Sequence, residues 1–233
     1  MRAVIVVPTY NERDNLSLFL EKVRQFAGDV DVLIVDDNSP DGTGQLAEEI
    51  GKASGGRISV LHRQRKEGLG RAYVAGFARA LEMGYDVVLQ MDADLSHDPA
   101  SIPAFLERIQ DCDLVLGSRY VGGIRVVNWD FKRLLLSKAA TRYVQIVTGM
   151  RFTDTTGGFK CWKAATLKSI GLERVFSSGY LFQIEMNYRA FRSGFRVAEL
   201  PIIFYERNLG RSKMDGRVIL EALLGVIRLR LSR

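Results

Sequence analysis

Short apolar runs alternate with amphipathic segments through the first half of the chain, and this alternation constrains the fold more than any other feature. Runs of three to five mostly apolar residues are typical of strands buried on both faces of a parallel sheet. They predict strands at 3–7, 32–35, 58–61, 87–91 and 114–116. Helical periodicity occupies the segments near 15–27, 43–53, 69–83 and 99–110. The pattern predicts an α/β fold with a doubly wound, mostly parallel sheet flanked by helices.

The second half of the chain has a different pattern of predicted helices and strands. Residues 163–194 look helical, 197–205 predict one strand, and 206–213 predict a polar loop before a last helix that begins at Asp215. No internal repeat, low-complexity tract or obvious linker divides the chain. We therefore predict one domain over residues 1–233, with basic elements at about 120–150 and 207–233.

Charge is unevenly distributed along the chain. Residues 1–124 carry a net charge of −6 and residues 125–233 carry +12, which together give the overall +6. Such asymmetry predicts different partners for the two halves. The basic half suits phosphates, whether of a nucleotide, a nucleic acid or a membrane surface, and charge alone does not choose among them.

The hydrophobic pattern and the cysteine content indicate in which cellular compartment the protein resides. The first apolar run stops at Pro8, short of a signal-peptide core, and no stretch approaches the ~20 apolar residues of a membrane span. Cys112 and Cys161 lack metal-like spacing, so we expect reduced thiols that are buried by packing. These features predict a cytoplasmic protein.

Two carboxylates follow the fourth predicted strand. Asp92 and Asp94 would lie at the strand's carboxyl end, where open α/β sheets bind their ligands. Paired carboxylates are hard oxygen ligands for Mg²⁺ or Mn²⁺, which commonly bind together with a phosphate. Alternatively, one of them caps the next helix, although Asp98 suits that role better because it directly precedes Pro99.

Polar motifs also follow the first and second predicted strands. They are PTYNE at 8–12 and DDNSPDGT at 36–43, and neither is a dinucleotide fingerprint or a Walker loop. The second motif has good turn residues, but two consecutive acids exceed what a turn requires. A carboxylate at such a strand end can accept from a ribose hydroxyl or a base N–H.

In order and spacing, PTYNE at 8–12, VDDNS at 35–39 and DAD at 92–94 resemble the family 2 glycosyltransferases of the GT-A fold, a Rossmann-like nucleotide-sugar fold. Four further motifs are similar to those of the dolichol-phosphate mannose synthases within that family. They are DLSH at 94–97, GSRY at 117–120, TTGGFK at 155–160 and RNLGRSK at 207–213. The resemblance covers nearly the whole chain.

The resemblance implies a set of site residues. Donor-binding residues would be Pro8, Thr9, Tyr10, Glu12, Val35, Asp37, Asp92, Ala93, Asp94 and Lys213. Metal ligands for Mg²⁺ or Mn²⁺ would be Asp92, Asp94 and Ser96, where some members carry a glutamine in place of Ser96. Contacts to the sugar phosphate region would come from Arg119, Arg133 and Ser137, and the residues expected to be catalytic are Asp94, Arg119 and Arg207.

The activity that the resemblance implies is inverting, metal-dependent transfer of mannose from GDP-mannose to a dolichyl or other polyprenyl phosphate at the cytoplasmic face of a membrane. A separate membrane-anchoring partner is compatible with that activity. The alternative donors are UDP-glucose and UDP-N-acetylglucosamine, which the motifs do not separate from GDP-mannose. A non-catalytic nucleic-acid-binding module is a further alternative, but the acidic strand ends argue against it, and we expect no nucleic-acid partner.

Two expectations concern the acceptor. A phosphate monoester is largely dianionic at neutral pH, since its second pKa is near ~6, so it needs no general base. Glu185 matches a region where related enzymes place a base, or it simply pairs with Arg189 at i+4. Aromatic and leucine residues among cations at 125–142, and the last helix, suit a membrane surface, unless the leucines pack onto the sheet.

Overall fold

The computed structural model describes residues 1–206 and 216–231, the latter with side chains from residue 222 onward. The strands are β1 (Ala3–Thr9), β2 (Asp31–Asp36), β3 (Ile58–His62), β4 (Val87–Gln90), β5 (Leu114–Ser118), β6 (Val126–Val127), β7 (Lys160–Lys163), β8 (Val197–Pro201) and β9 (Phe204–Tyr205). The α-helices are α1 (Arg13–Ala27), α2 (Thr43–Ala53), α3 (Leu69–Glu82), α4 (Ile102–Arg108), α5 (Phe131–Thr148), α6 (Ala164–Ser169), α7 (Leu181–Arg192) and α8 (Gly216–Leu231). All five strands predicted in the first half are confirmed.

Seven strands form the central sheet in the order β3-β2-β1-β4-β7-β5-β8. Strands β3, β2, β1 and β4 pair in parallel, and so do β5 and β8. Strand β7 lies antiparallel between β4 and β5, with Gln90 opposite Lys160. The sheet is therefore mostly parallel as predicted, with one reversed strand that the apolar pattern did not indicate.

Helices cover both faces of this sheet. One apolar layer contains Leu16 and Phe19 of α1 together with Phe105 of α4. The opposite layer contains Tyr73 and Phe77 of α3 and several side chains of α6 and α7. Helix α3 lies close to the sheet at Gly76, where a Cβ atom would lie 2.4 Å from a methyl group of Val6. Burying apolar side chains on both faces is the main stabilising term of such a sheet.

Predictions for the second half were partly wrong. Residues 163–194 do not form continuous helix, because β7 ends at Lys163 and a loop separates α6 from α7. The strand predicted at 197–205 divides after Pro201 into β8, in the central sheet, and β9, which pairs in parallel with β6. In the first half, the helix predicted at 99–110 is confirmed as α4 flanked by two short 3₁₀ turns. The polar loop predicted after Glu206 lies outside the described residues.

Helix α5 begins and ends with local capping. Asp130 accepts a hydrogen bond from the Arg133 backbone N–H at 2.8 Å, and Gly149 ends the helix with φ at 79°. Among the helices it shares a small apolar cluster with α7 and α8 through Val144. Within the described part of the chain, no helix is long and apolar enough to cross a membrane. Cys112 and Cys161 are free and buried, as expected.

Candidate active site

The loops that follow β1 and β2 form one continuous surface. The Asn11 N–H donates to Ser39 Oγ at 3.1 Å, and the Glu12 N–H donates to Thr43 Oγ1 at 3.0 Å. Asp37 N donates to the Thr9 carbonyl oxygen at 3.0 Å. The two polar motifs therefore meet at the carboxyl edge of the sheet, where a ligand crevice is expected.

Asp36 and Asp37 have different surroundings. The Asp36 carboxylate accepts from Thr9 Oγ1 at 3.1 Å, from the Ser39 N–H at 3.0 Å and from Ser39 Oγ at 2.6 Å. It organises the turn, and the Thr9 hydroxyl is committed to it. Asp37 instead pairs with the Arg63 guanidinium. Burial raises the pKa of Asp37, and Arg63 offsets part of that rise.

The remaining residues expected to bind the donor differ in whether their side chains or only their backbone atoms could contact a ligand. Pro8 and Tyr10 are half-buried, and the Lys66 ammonium lies 3.7 Å from the centre of the Tyr10 ring. Val35 and Ala93 are buried in the apolar layers, which leaves only their backbone atoms for a ligand. Lys213, like Arg207, lies outside the described residues, so the parts assigned to both stay predictions.

The loop that the sequence predicts to hold a metal, residues 92–96, follows β4 and is called the metal loop below. Tyr73 Oη donates to Asp92 Oδ1 at 2.6 Å, and Asp94 Oδ1 accepts from the Ser96 N–H at 3.0 Å. Leu95 has φ at 60°, a left-handed conformation that costs a leucine roughly 1–2 kcal/mol. That turn folds the loop so that Ser96 lies back over Asp94. Asp98 caps the 3₁₀ turn after the loop by accepting from Ala100 N at 3.0 Å, as predicted.

These residues fit a cation that is shared with a phosphate. No group of three or more His, Cys, Asp or Glu side chains within the described ranges could by itself hold a metal ion. The loop offers two carboxylates, and Ser96 Oγ is buried without a hydrogen-bond partner. Mg²⁺ is usually held by one or two carboxylates and completes its shell with waters and substrate phosphates. The unpaired hydroxyl oxygen belongs to the residue whose N–H already bonds Asp94, so it is a candidate additional ligand.

Two arginines and three aromatic side chains contact one another next to the metal loop. This basic cluster comprises Arg119, Tyr120, Trp129, Arg133 and Phe204, and Phe204 also contacts the His97 ring. Arg119 is buried and lies 5.2–5.6 Å from the three aromatic ring centres. Arg133 lies 4.3 Å from the Trp129 ring centre. Stacking on aromatic faces favours guanidinium groups, which also match phosphate oxygens in geometry.

Acidic partners hold both arginines. Arg119 donates from Nε to Asp154 Oδ2 at 2.6 Å and from Nη2 to Asp154 Oδ1 at 2.7 Å. Arg133 forms an ion pair with Glu206. Ser137, one turn after Arg133 on α5, accepts from Tyr120 Oη at 2.6 Å. The three residues expected to contact the sugar phosphate are thus brought together, with their side chains oriented by neighbours.

Strand β9 joins the basic cluster to the metal loop. The Tyr205 N–H donates to the Ser96 carbonyl oxygen at 3.1 Å, and the buried His97 ring lies 5.4 Å from that of Phe204. His97 Nδ1 is 3.5 Å from the Asp92 nitrogen, and burial lowers the pKa of His97. His97 is therefore a packing residue near the site.

Glu185 is fully buried on α7. Its carboxylate accepts from the Ser177 N–H at 3.0 Å, from the Ser177 hydroxyl, and from Arg189 Nε at 2.9 Å. The i+4 pair with Arg189 was one of the two interpretations left open by the sequence, and the structure contains it. The Ser177 contacts hold the loop before α7, and Arg189 in turn donates to the Arg174 carbonyl oxygen of that segment, so the structure favours a positioning role over that of a base.

Three groups near the site were missed by the sequence reasoning. Tyr73, which orients Asp92, gives no signal beyond the apolar face of its helix. Asp154, which holds Arg119, directly precedes the TTGGFK motif and could have been considered as an acid beside a polar run. Lys160 and Gln183 form a buried hydrogen-bonded pair. The sequence signals this pair only through Lys160, which ends the TTGGFK motif, because no strand was predicted there.

Comparison with known proteins places the chain in a family. The family model described as Glycosyl transferase family 2 matches residues 4–176. Undecaprenyl-phosphate mannosyltransferase of Micrococcus luteus is 46% identical over 228 residues, which cover 98% of this chain and 93% of that protein. Polyprenol monophosphomannose synthase of Mycolicibacterium smegmatis is 46% identical over 226 residues, which cover 97% and 85%.

Solved structures support the fold. Glucosyl-3-phosphoglycerate synthase from Mycobacterium tuberculosis, in complex with phosphoglyceric acid, superposes with a TM-score of 0.71 at 16% identity and covers 98% of this chain and 79% of its own. The same protein in complex with Mn²⁺, uridine diphosphate and glucosyl-3-phosphoglycerate gives a TM-score of 0.67 at 18% identity, covering 99% and 78%. The predicted GT-A fold is confirmed, and the chain belongs to glycosyl transferase family 2.

Proposed function

We propose that this glycosyltransferase transfers mannose from GDP-mannose to a polyprenyl phosphate, with inversion at the sugar carbon and with the help of a divalent cation. The observation that carries the proposal is the junction between an acidic loop at a strand edge and a cluster of stacked arginines, tied by the Tyr205–Ser96 hydrogen bond. Relatives at 46% identity are named for mannosyl transfer to undecaprenyl phosphate and for polyprenol monophosphomannose synthesis.

On the donor side, Asp92, Asp94 and Ser96 would hold Mg²⁺ or Mn²⁺. Such a cation neutralises the negative charge that develops on the departing diphosphate. A solved structural relative contains Mn²⁺ and uridine diphosphate. Pro8, Tyr10 and Asp37 lie along the same sheet edge, at the position we propose for the base and ribose.

On the acceptor side, Arg119, Arg133 and Ser137 would bind the lipid phosphate. The dianionic phosphate is itself the nucleophile, since it carries no proton that must be removed. The engagement of Glu185 with Ser177 and Arg189 supports a reaction without a protein base. Arg207 and Lys213, outside the described residues, are proposed to close over the phosphates.

We propose that α5 docks on the cytoplasmic face of a membrane. Phe131 and Leu135 are 76% and 59% exposed, and Lys132, Lys138 and Arg142 are exposed on the same helix. Leu135 and Leu136 are exposed and Leu134 is half-buried, and none of the three belongs to an apolar layer of the sheet as described. Exposed apolar and cationic side chains on one helix suit an anionic headgroup region. A membrane-anchoring partner remains compatible with this surface.

A donor competition assay tests the proposal. Purified protein is incubated with polyprenyl phosphate, Mg²⁺ or Mn²⁺, and radiolabelled GDP-mannose, UDP-glucose or UDP-N-acetylglucosamine. We expect label from GDP-mannose in the lipid fraction, loss of that label with a chelator, and a product of opposite anomeric configuration to the donor. Preferential transfer from either UDP-sugar would replace the proposed donor, and no transfer from any donor would refute the activity.

A further inference from the structure

A buried chain of polar side chains lies beneath the metal loop. Gln90 ends β4 two residues before Asp92, Lys160 begins β7 beside it, and Gln183 lies in the first turn of α7. All three are at most 4% exposed. Buried polar groups cost free energy unless they are paired, and a buried ammonium costs more than an amide. A chain of this kind next to a reaction site therefore calls for a functional explanation.

The hydrogen bonds fix the orientation of the Gln183 amide. Lys160 Nζ and Gln90 Nε2 both donate to Gln183 Oε1, each at 2.7 Å. Lys160 Nζ also donates to the Gln183 carbonyl oxygen at 3.1 Å. Because two donors hold the side-chain oxygen, the amide nitrogen must face the opposite way.

The amide nitrogen faces the site beside Asp92. A Cβ atom on Gly158 would lie 3.4 Å from Asp92 Oδ2 and 3.6 Å from Gln183 Nε2, with the His97 ring edge at 3.2 Å. Gly158 thus leaves open the space that both groups border. Within the described part of the chain, Gln183 Nε2 has no hydrogen-bond acceptor, and it is not among the fully buried unpaired atoms.

A bound nucleotide sugar would place its sugar ring in or next to this space. Its sugar is bonded directly to the phosphate that the cation at Asp92 and Asp94 would hold, so the sugar ring lies within a few bonds of that loop. A neutral N–H donor there can bind a sugar oxygen and cannot remove a proton. Gln183 is the residue of α7 whose side chain borders this space. Glu185, also on α7, instead holds the loop at Ser177.

We propose that Gln183 donates a hydrogen bond from Nε2 to an oxygen of the transferred sugar, and that Lys160 and Gln90 are positioning residues that lock its amide. This inference rests on the proposed function, since it requires a nucleotide-sugar donor at the metal loop. It adds a sugar contact that the motifs did not indicate.

Donor analogues lacking single hydroxyls test the contact. With the complete sugar, Gln183→Ala should lower kcat/KM by roughly 10- to 100-fold, the effect of losing one hydrogen bond to a buried group. The loss should shrink to about threefold or less with the deoxy donor that lacks the contacted hydroxyl. Calorimetric binding of GDP with Mn²⁺ should be unchanged, because GDP lacks the sugar that Gln183 is proposed to bind.

Two variants separate this effect from folding. Gln183→Glu keeps the oxygen that accepts from Lys160 but removes the N–H, and it should lose activity while remaining folded. Gln145→Ala removes an amide that donates to the Phe152 carbonyl oxygen at 2.8 Å, far along α5, and should keep the deoxy-donor pattern of the unmodified protein. An equal loss for Gln183→Ala with every deoxy donor, or no loss at all, would overturn the contact.

The positioning role of Lys160 has its own readout. Lys160→Met should produce the same deoxy-donor pattern as Gln183→Ala, and the double variant should be no worse than Gln183→Ala alone. Losses that multiply in the double variant would assign Lys160 an independent role and overturn this part. If the unmodified protein transfers no sugar from any donor, the proposed function itself fails, and that outcome is separate from an active enzyme that is insensitive to Gln183.

Discussion

The donor side and the acceptor side of the site are built in different ways. On the donor side, polar residues directly follow strands β1, β2 and β4, and most of their contacts are with neighbouring loops at the same sheet edge. On the acceptor side, Arg119 pairs with Asp154 and Arg133 pairs with Glu206, which lie 35 and 73 residues away in sequence. The donor side can therefore be identified from sequence motifs. The acceptor side depends on long-range pairs, and of their four residues only Arg119 lies in a motif.

The largest effect is expected on the donor side. Asp94→Ala removes a proposed metal ligand and should lower turnover by roughly 10³-fold or more, since metal stabilisation of a leaving phosphate contributes several kcal/mol. Asp94→Asn should lose most activity as well, because a neutral amide is a poorer ligand for a hard cation. Transfer of radiolabelled mannose and titration with Mn²⁺ measure both effects.

Asp98 provides the matched control for that prediction. It is another acid near the metal loop, and its carboxylate caps the 3₁₀ turn at Ala100. Asp98→Ala should cost about 1 kcal/mol of stability, as loss of a cap does, and should keep metal-dependent turnover. Full metal-dependent activity in Asp94→Ala would remove Asp94 from the site.

The second largest effect is expected on the acceptor side. Asp154→Asn leaves the buried Arg119 guanidinium without its counter-charge, which should reduce the free energy of unfolding by about 3–5 kcal/mol. Chemical denaturation measures the loss. Glu82→Gln, which breaks the exposed Arg79–Glu82 pair, should cost less than about 1 kcal/mol. Comparable losses in the two variants would contradict the importance of the buried pair.

The same pair gives a pH dependence. Burial raises the pKa of Asp154, but the Arg119 guanidinium and its hydrogen bonds lower it more, so the net pKa lies below the ordinary 3.8. A carboxyl with a lowered folded-state pKa contributes stability that is present above the unfolded value and is lost as pH falls through the folded value. The stability difference between the unmodified protein and Asp154→Asn should therefore be constant near neutral pH and shrink below about pH 4. A difference that grows on acidification would contradict this sign.

Substitution of Glu185 tests whether the reaction uses a protein side chain as a general base. Glu185→Gln should keep turnover within about tenfold, because the acceptor phosphate needs no deprotonation, while stability falls by about 1–3 kcal/mol as buried charged hydrogen bonds weaken. The acidic limb of the rate profile should follow the ionisation of the acceptor phosphate. A loss of several orders of magnitude in a folded variant would instead support a protein base.

The donor side and the acceptor side also differ in how much of their structure could be predicted from the sequence. Strands buried on both faces are continuous apolar runs, so β1 to β5 could be located within a few residues, and their carboxyl ends located the donor loops. Strand β7 begins with a lysine and contains another, Lys160 and Lys163, and its pairing depends on two strands distant in the chain. No local periodicity carries that information. The pairing of Arg119 with Asp154 was hidden for the same reason.

The smallest effect concerns the membrane surface, where the acceptor side should differ most from the donor side. Lys132 is exposed on α5 next to Phe131, which is 76% exposed. A cation near anionic lipid contributes about 1 kcal/mol, so Lys132→Ala should weaken binding to anionic vesicles by about fivefold at low salt. The difference should vanish at high salt, since the attraction is screened beyond a Debye length.

Lys52→Ala, which removes an exposed lysine of α2 in the acidic half, should leave vesicle binding unchanged. Co-sedimentation at two salt concentrations measures the binding, and a short water-soluble acceptor separates it from catalysis, because Lys132→Ala should keep full activity on that acceptor. If the unmodified protein does not bind anionic vesicles at low salt, or if Lys52→Ala weakens binding as much as Lys132→Ala, the docking surface does not lie on α5.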